Sequence, residues 1–113
     1  MYKIGVDIVE VKRIENAILR SEFFLKKIFS EKEIEYCESK KNKYESYSAR
    51  YAAKEAYLKA VGSGITDINL KKIEVINDEE GKPFLYVDGK LIEGDLSLSH
   101  TETLAIANIV LKK

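Results

Sequence analysis

An α+β fold is predicted, and three observations predict it. The chain opens on a segment of strict alternation, its middle follows helical spacing, and its last third is a run of short strand-like segments separated by turn residues. All of this fits into 113 residues, the size of one domain running from residue 1 to 113.

In residues 2–9, Tyr2, Ile4, Val6 and Ile8 fall on one face and Lys3, Gly5, Asp7 and Val9 on the other, so a strand with one apolar face is expected. From Glu10 to Arg20 the period changes. Val11, Ile14, Ala17 and Ile18 stand at helical spacing, and the apolar stretch from Phe23 to Phe29 continues as helix. Ser30-Glu31-Lys32-Glu33 reads as a capping box that opens a further helix to about Ser39. After the polar break Lys40-Lys41-Asn42-Lys43, Tyr44 to Val61 is the longest helical run, rich in alanine and other strong helix formers. Gly62 is expected to end it in the left-handed conformation.

Strands are then expected over 70–77, 83–87, 95–100 and 103–111, with turns at Asp78-Glu79-Glu80-Gly81-Lys82 and at Asp88-Gly89. In the last strand Ala105, Ala107 and Ile109 share one face, and Leu104, Ile106 and Val110 the other. Two apolar faces predict a central or interfacial strand.

Acidic and basic residues balance at 19 each, which argues against a general nucleic-acid binder. The single cysteine, Cys37, can form neither an internal disulfide nor a thiolate metal site, and reads as a helix residue in a reducing compartment. Asp7 interrupts any secretory apolar run, and no stretch approaches the ~18 apolar residues of a membrane span. A soluble, cytoplasmic protein is expected.

Three constellations carry chemistry. Asp7 stands late in an apolar strand, and an ionised carboxylate there needs a cation, a metal or several N–H donors. An N-cap role for the next helix, or a pairing with Lys12 or Arg13, would also satisfy it. On the long helix, Tyr51, Glu55, Leu58, Lys59 and Gly62 share one side, while Ala49, Ala53, Ala56 and Ala60 form a small-residue stripe that lets the helix lie close to a sheet. Glu55 and Lys59 are either an ordinary pair one turn apart, or a carboxylate for a hard cation beside an ammonium for phosphate oxygens. The Gly62-Ser63-Gly64 break beyond them offers backbone N–H groups. The third constellation, Ser97-Leu98-Ser99-His100-Thr101, holds the one histidine. It suits phosphate, or a turn with capping hydroxyls, and lacks the glycine frame of a hydrolase serine.

Taken together, the order Gly5-Val6-Asp7, then Arg50-Tyr51-Ala52-Ala53-Lys54-Glu55-Ala56 with Lys59-Ala60 and Gly62/Gly64, then Gly81-Lys82-Pro83, then Ser97-Leu98-Ser99-His100-Thr101, resembles the holo-acyl-carrier-protein synthase family, the small group of 4'-phosphopantetheinyl transferases. The match spans almost the whole chain, and the Arg50–Gly64 stretch is its most specific part. The resemblance implies a small antiparallel sheet wrapped around a long central helix, and a homotrimer with an active site at each subunit interface.

It also implies the reaction: Mg²⁺-dependent transfer of 4'-phosphopantetheine from coenzyme A to a serine of apo-acyl carrier protein, releasing 3',5'-adenosine bisphosphate, in support of fatty acid biosynthesis. Asp7 and Glu55 match the metal-binding carboxylates, and Lys59 the residue that meets the leaving phosphate. The general base is expected to be Glu55, acting through a metal-bound water, or a water held by Asp7. Gly81, Lys82 and Pro83 match the turn flanking the adenine. Arg50, His100 and Thr101 match positions near the coenzyme's phosphates, including the 3'-phosphate, and Lys59 and Gly62 join the coenzyme set. Arg13 and Arg20 match the basic face that meets the acidic carrier.

Two features depart from the family pattern. Phe23 and Phe24 stand where relatives often carry basic residues, so apolar packing is expected in the carrier contact. Residues 88–95 form a short segment at the coenzyme rim. The rival readings are another magnesium-dependent phosphotransferase or phosphohydrolase acting on a nucleotide, and a non-catalytic oligomeric binding module. Dependence on both coenzyme A and apo-carrier separates the first, and the presence of Asp7, Glu55 and Lys59 argues against the second.

Overall fold

The computed structural model of the protein describes residues 1–62 and 69–112, so Ser63 and Gly64 lie outside the described residues. The elements run β1 (Tyr2–Glu10), α1 (Val11–Arg20), α2 (Glu22–Ile28), α3 (Glu31–Glu38), α4 (Lys43–Val61), a 3-10 turn (Leu70–Lys72), β2 (Ile73–Asn77), β3 (Pro83–Val87), β4 (Lys90–Leu91), β5 (Gly94–His100) and β6 (Leu104–Lys112). They form two three-stranded antiparallel sheets, β1-β6-β5 and β2-β3-β4. Both sheets pack on α4, giving the expected α+β arrangement of antiparallel sheet about a long helix. Among the described residues, no helix is long and apolar enough to cross a membrane.

Small residues set the distance between α4 and the first sheet. Ala49, Ala52, Ala53, Ala56 and Ala60 are all buried. A Cβ added at Gly5 would stand 2.0 Å from the Ala56 carbonyl oxygen and 2.9 Å from the Ala60 nitrogen, so strand and helix backbones touch there. This close approach decides which face of β1 turns inward. Gly5, Asp7 and Val9 face the helix, and the apolar set Ile4, Val6 and Ile8 is left 75%, 48% and 60% exposed. Alternation by itself would bury the other face.

β6 is central, as expected, but only one of its apolar faces is covered within the chain. Ala105, Ala107, Ile109 and Leu111 are buried, whereas Leu104 and Val110 are open beside Ile4 and Ile8 of β1. Other local expectations are corrected. Residues 70–72 form a 3-10 turn rather than strand, with Asn69 Oδ1 accepting from the Lys71 N–H at 3.0 Å. The Asp88-Gly89 turn forms as expected, with positive φ at Asp88 (52°) and Gly89 (80°), but the 88–95 segment also holds a short unexpected strand, β4. Gly62 ends α4 at positive φ, as expected of a glycine, but with φ 97° and ψ 172° it lies outside the left-handed helical region.

The capping box at Ser30 forms as expected, and its glutamate does more than cap. Glu33 Oε1 accepts from the Ser30 N–H at 3.0 Å and from Lys54 Nζ at 2.7 Å, while Oε2 accepts from the Val75 N–H at 3.0 Å. Lys54 also donates to the Leu70 carbonyl at 2.9 Å and to the Ile73 carbonyl. Both side chains are fully buried. Burial pulls the Lys54 ammonium below its ordinary range, and the Glu33 charge opposes that shift. The pair ties α3, α4 and β2 together, since each buried charge has its hydrogen bonds met.

Candidate active site

At the junction of β1 and α4, Asp7 and Lys59 meet. Lys59 Nζ lies 3.0 Å from Asp7 Oδ1; the aspartate side chain is 16% exposed and the lysine 59%. Asp7 therefore neither caps α1, which has no side-chain cap, nor pairs with Lys12, which sits 3.9 Å from Glu15. Lys59 pairs with Asp7 and not with Glu55 one turn before it. Glu55 is half-buried, and one turn further back Tyr51 lies under the Arg13 guanidinium at 5.9 Å from the ring centre. Burial pushes the Tyr51 phenol above its ordinary range, as do the Glu55 charge, a hydrogen bond to Glu55 and the Asp7 charge, while Arg13 opposes. Tyr51 thus lies within reach of Glu55, Arg13 and Asp7.

Among the described residues no cluster of three metal-ligating side chains exists. Two carboxylates offering only oxygen fit a hard ion such as Mg²⁺, which is commonly held by one or two carboxylates with water and substrate phosphates completing its shell.

A second group of predicted residues gathers elsewhere. Arg50, Gly81, Pro83 and His100 line one cavity of about 300 Å³, together with Tyr36, Ser46 and Asn77. Arg50 is 3% exposed; its guanidinium stacks on Tyr36 at 4.2 Å and donates to Asn77 Oδ1, and its Nε has no partner. Asn77 Nδ2 in turn donates to the Gly81 carbonyl at 3.0 Å, holding the 78–82 turn to the cavity wall. His100 Nδ1 lies 2.7 Å from Glu45 Oε1. Tyr36, Asn77 and Glu45 carried no local signal in the sequence, because their partners are 14 to 55 residues away.

Four predicted coenzyme residues are not in that wall: Lys59, which is with Asp7, and Thr101, Lys82 and Gly62. The Thr101 hydroxyl accepts from the Thr103 and Leu104 N–H groups at 3.2 and 3.1 Å, which is the turn-capping alternative. The Lys82 ammonium lies over the Phe84 ring at 5.5 Å, and its N–H donates to Asp78 at 2.8 Å. Gly62 is exposed at the end of α4. Ser97 lines the same cavity as His100, whereas Ser99, paired with Ile106 and exposed, is not in its wall, so the expected hydroxyl cluster is met in part.

Within one chain the two groups do not converge. Asp7 is on β1 and His100 on β5, opposite edges of a sheet with β6 between them, roughly 10 Å across. Arg50 and Lys59 are nine positions apart on α4, which is about 13.5 Å along the axis and half a turn around it. Arg13 and Arg20 are both exposed and, seven residues apart, share a face of α1. Exposed Leu19 lies on the same helix, and Phe23 at the start of α2 is 72% exposed. Phe24 instead packs against the core.

A family model described as the 4'-phosphopantetheinyl transferase superfamily matches residues 3–110. A holo-[acyl-carrier-protein] synthase of Cytophaga hutchinsonii is 47% identical over 97% of this chain and 96% of its own length. One from Clostridium tetani is 42% identical over 96% and 94%. The crystal structure of a holo-(acyl-carrier-protein) synthase from Bacillus anthracis in complex with CoA (3',5'-ADP) superposes with a TM-score of 0.84 at 39% identity, covering 96% of this chain and 94% of that one.

Proposed function

The chain belongs to the 4'-phosphopantetheinyl transferase superfamily, and on that premise we propose that it is a holo-acyl-carrier-protein synthase. It moves 4'-phosphopantetheine from coenzyme A onto a serine of apo-acyl carrier protein, the carrier of fatty acid synthesis, in the cytoplasm. The observation that carries this reading is the meeting of Asp7 and Lys59 beside Glu55, with a cavity around a buried arginine on the far side of the same helix.

The serine hydroxyl oxygen attacks the β-phosphorus of coenzyme A in line, and the bond to the α-phosphate oxygen breaks, so 3',5'-adenosine bisphosphate departs. Glu55 takes the serine proton through an intervening water, or a water held by Asp7 does, and Lys59 places its ammonium against the oxygen that gains charge. Asp7 positions Lys59 in the resting site and, with Glu55, would hold Mg²⁺. When bound, that ion supplies charge neutralisation at the pyrophosphate. Arg50 and His100 grip the coenzyme's phosphates. Gly81 and Pro83 flank the adenine, and Lys82, Thr101 and Gly62 act at its rim. The exposed basic face of α1, with Arg13 and Arg20, receives the acidic carrier, and Phe23 adds an apolar contact.

The separation of the two groups is resolved by a second copy. The outer face of β1 and β6, with Ile4, Val6, Ile8, Leu104 and Val110 open, is the surface on which a homotrimer would close. Each site would then combine Asp7, Glu55 and Lys59 of one copy with Arg50 and His100 of its neighbour.

The test is to mix the protein with apo-acyl carrier protein, coenzyme A and magnesium, and to weigh the carrier by intact-mass spectrometry. One phosphopantetheine is gained with the wild type, and none with Glu55→Ala or with EDTA. A folded wild type that leaves several apo-carriers unmodified overturns the reading.

A further inference from the structure

His100 is the last residue of β5, and Glu45 stands in the first turn of α4, 55 residues away in sequence. Their 2.7 Å contact is made by Nδ1. The glutamate side chain is 14% exposed and the imidazole 43%, so the carboxylate is held beneath the ring while the ring opens toward the Arg50 cavity. A carboxylate only accepts hydrogen bonds, so the ring nitrogen facing it must be the one carrying hydrogen. We propose that Glu45 is a positioning residue for the coenzyme: it fixes the tautomer and plane of His100, with Nδ1–H on Glu45 and Nε2 presented to the coenzyme's terminal phosphate.

The inference rests on the proposed function for the identity of the anion, but its geometric half does not. A phosphate oxygen on Nε2 needs a hydrogen there, so anion binding takes the ring to its doubly protonated form. With Glu45 fixed on Nδ1, Nε2 is the nitrogen left to meet the anion. Of the charged groups, Glu45 meets the ring and Arg50 lines the same cavity, both from α4, while the groove shared by Glu45 and Glu102 of the β5–β6 turn also holds Glu15, Glu38, Lys40, Lys41 and Lys43. From β3 and the turn before it, the wall is Pro83 and Gly81, which add no side-chain charge. Arg50 is a fixed charge already engaged by Asn77. Glu45 is thus the group that selects how the imidazole is offered.

Because His100 is the one histidine of the chain, its two ring nitrogens can be read without ambiguity by ¹⁵N–¹H correlation spectra of the assembled protein. The wild type should show hydrogen on Nδ1. Glu45→Gln, whose amide oxygen still accepts, should keep that tautomer, and Glu45→Ala should give a mixture. Titration with 3',5'-adenosine bisphosphate should protonate Nε2 in the wild type and less readily in Glu45→Gln.

In the transfer assay, Glu45→Gln and Glu45→Ala should raise KM for coenzyme A roughly tenfold with little change in kcat, and leave KM for dephospho-coenzyme A unaltered. Hydrogen resident on Nε2 and absent from Nδ1 in the free wild type overturns the proposal. So does an equal loss with both coenzymes, which would make Glu45 merely structural. Failure of transfer by the wild type would count against the proposed function, and the spectra and the bisphosphate titration would still decide the role of Glu45.

Discussion

Lys59 Nζ and Asp7 Oδ1 lie 3.0 Å apart, joining a helix and a strand across 52 residues of sequence. The pair is asymmetric, with a sheltered carboxylate and a largely exposed ammonium. Such a pair adds little to stability, roughly 1 kcal/mol or less. Lys59→Met should therefore melt close to the wild type. Transfer to the carrier should fall by about 10²–10³, mostly in kcat, if the lost charge acts, as proposed, where the leaving phosphate develops its own. Timed intact-mass assays beside thermal melts measure both.

Gly5→Ala tests the contact that sets the sheet against α4. Its Cβ would enter the Ala56 carbonyl, so helix and strand must separate. A loss of about 3 kcal/mol is expected in urea unfolding, the upper end for overpacking. Activity should fall too, since Asp7 follows two residues later. A stability equal to wild type would show that the two backbones do not pack this tightly.

The uncovered sheet face gives an assembly prediction. Val6→Glu places a charge between Ile4 and Ile8 on the open face, away from Asp7 and α4. Sedimentation should show trimers for wild type and monomers for the variant, with transfer lost although the variant keeps its helical circular dichroism. A monomeric, fully active wild type would sink the shared site.

Cys37 is fully buried, and burial pushes its thiol up to about 12 from an ordinary 9. The native protein should not react with a disulfide reagent at pH 8, and should release one thiol per chain on unfolding. The folded-state pKa is raised, so this contribution to stability is complete below pH 9. It is lost as pH climbs from 9 to 12, where the unfolded thiol ionises first, with a slope of at most about 1.4 kcal/mol per pH unit. Comparing the wild type with Cys37→Ala across that range isolates it.

The Glu33–Lys54 pair predicts non-additive mutants. Lys54→Met alone should cost about 3–5 kcal/mol by stranding a buried carboxylate. Adding Glu33→Leu should recover much of that in denaturant titrations. Simple addition of the two losses would mean that the charges do not act as a pair.

Local chemistry was legible in advance. The Ser30–Glu33 box, the alanine-rich α4 and the Asp88-Gly89 turn follow from interactions within a few residues, and each forms at its expected place. The 3-10 turn at 70–72 was read as strand, because its apolar Leu70 continues the pattern of β2 while Asn69 caps a tighter bend. The residue types of Asp7, Glu55 and Lys59 suited oxygen-ligated cation and phosphate chemistry and ordinary capping or ion pairs alike, and the resemblance to a family separated the two. Thr101 shows the limit of such reading, since its hydroxyl is taken up by its own turn.

By itself, then, the sequence determined the α+β order, the helix boundaries to within a residue or two, and a set of candidate residues whose order in the chain resembles one family. Only the tertiary structure decided which face of β1 is covered, since Gly5 and the alanines of α4 admit a helix backbone where side-chain alternation would have turned the opposite face inward. Only it paired Asp7 with Lys59, Arg50 with Asn77 and His100 with Glu45, and set the first pair apart from the other two. The physical reason is range. Propensity and periodicity act between neighbours in the chain, whereas these contacts join segments that meet only after two sheets have closed on one helix.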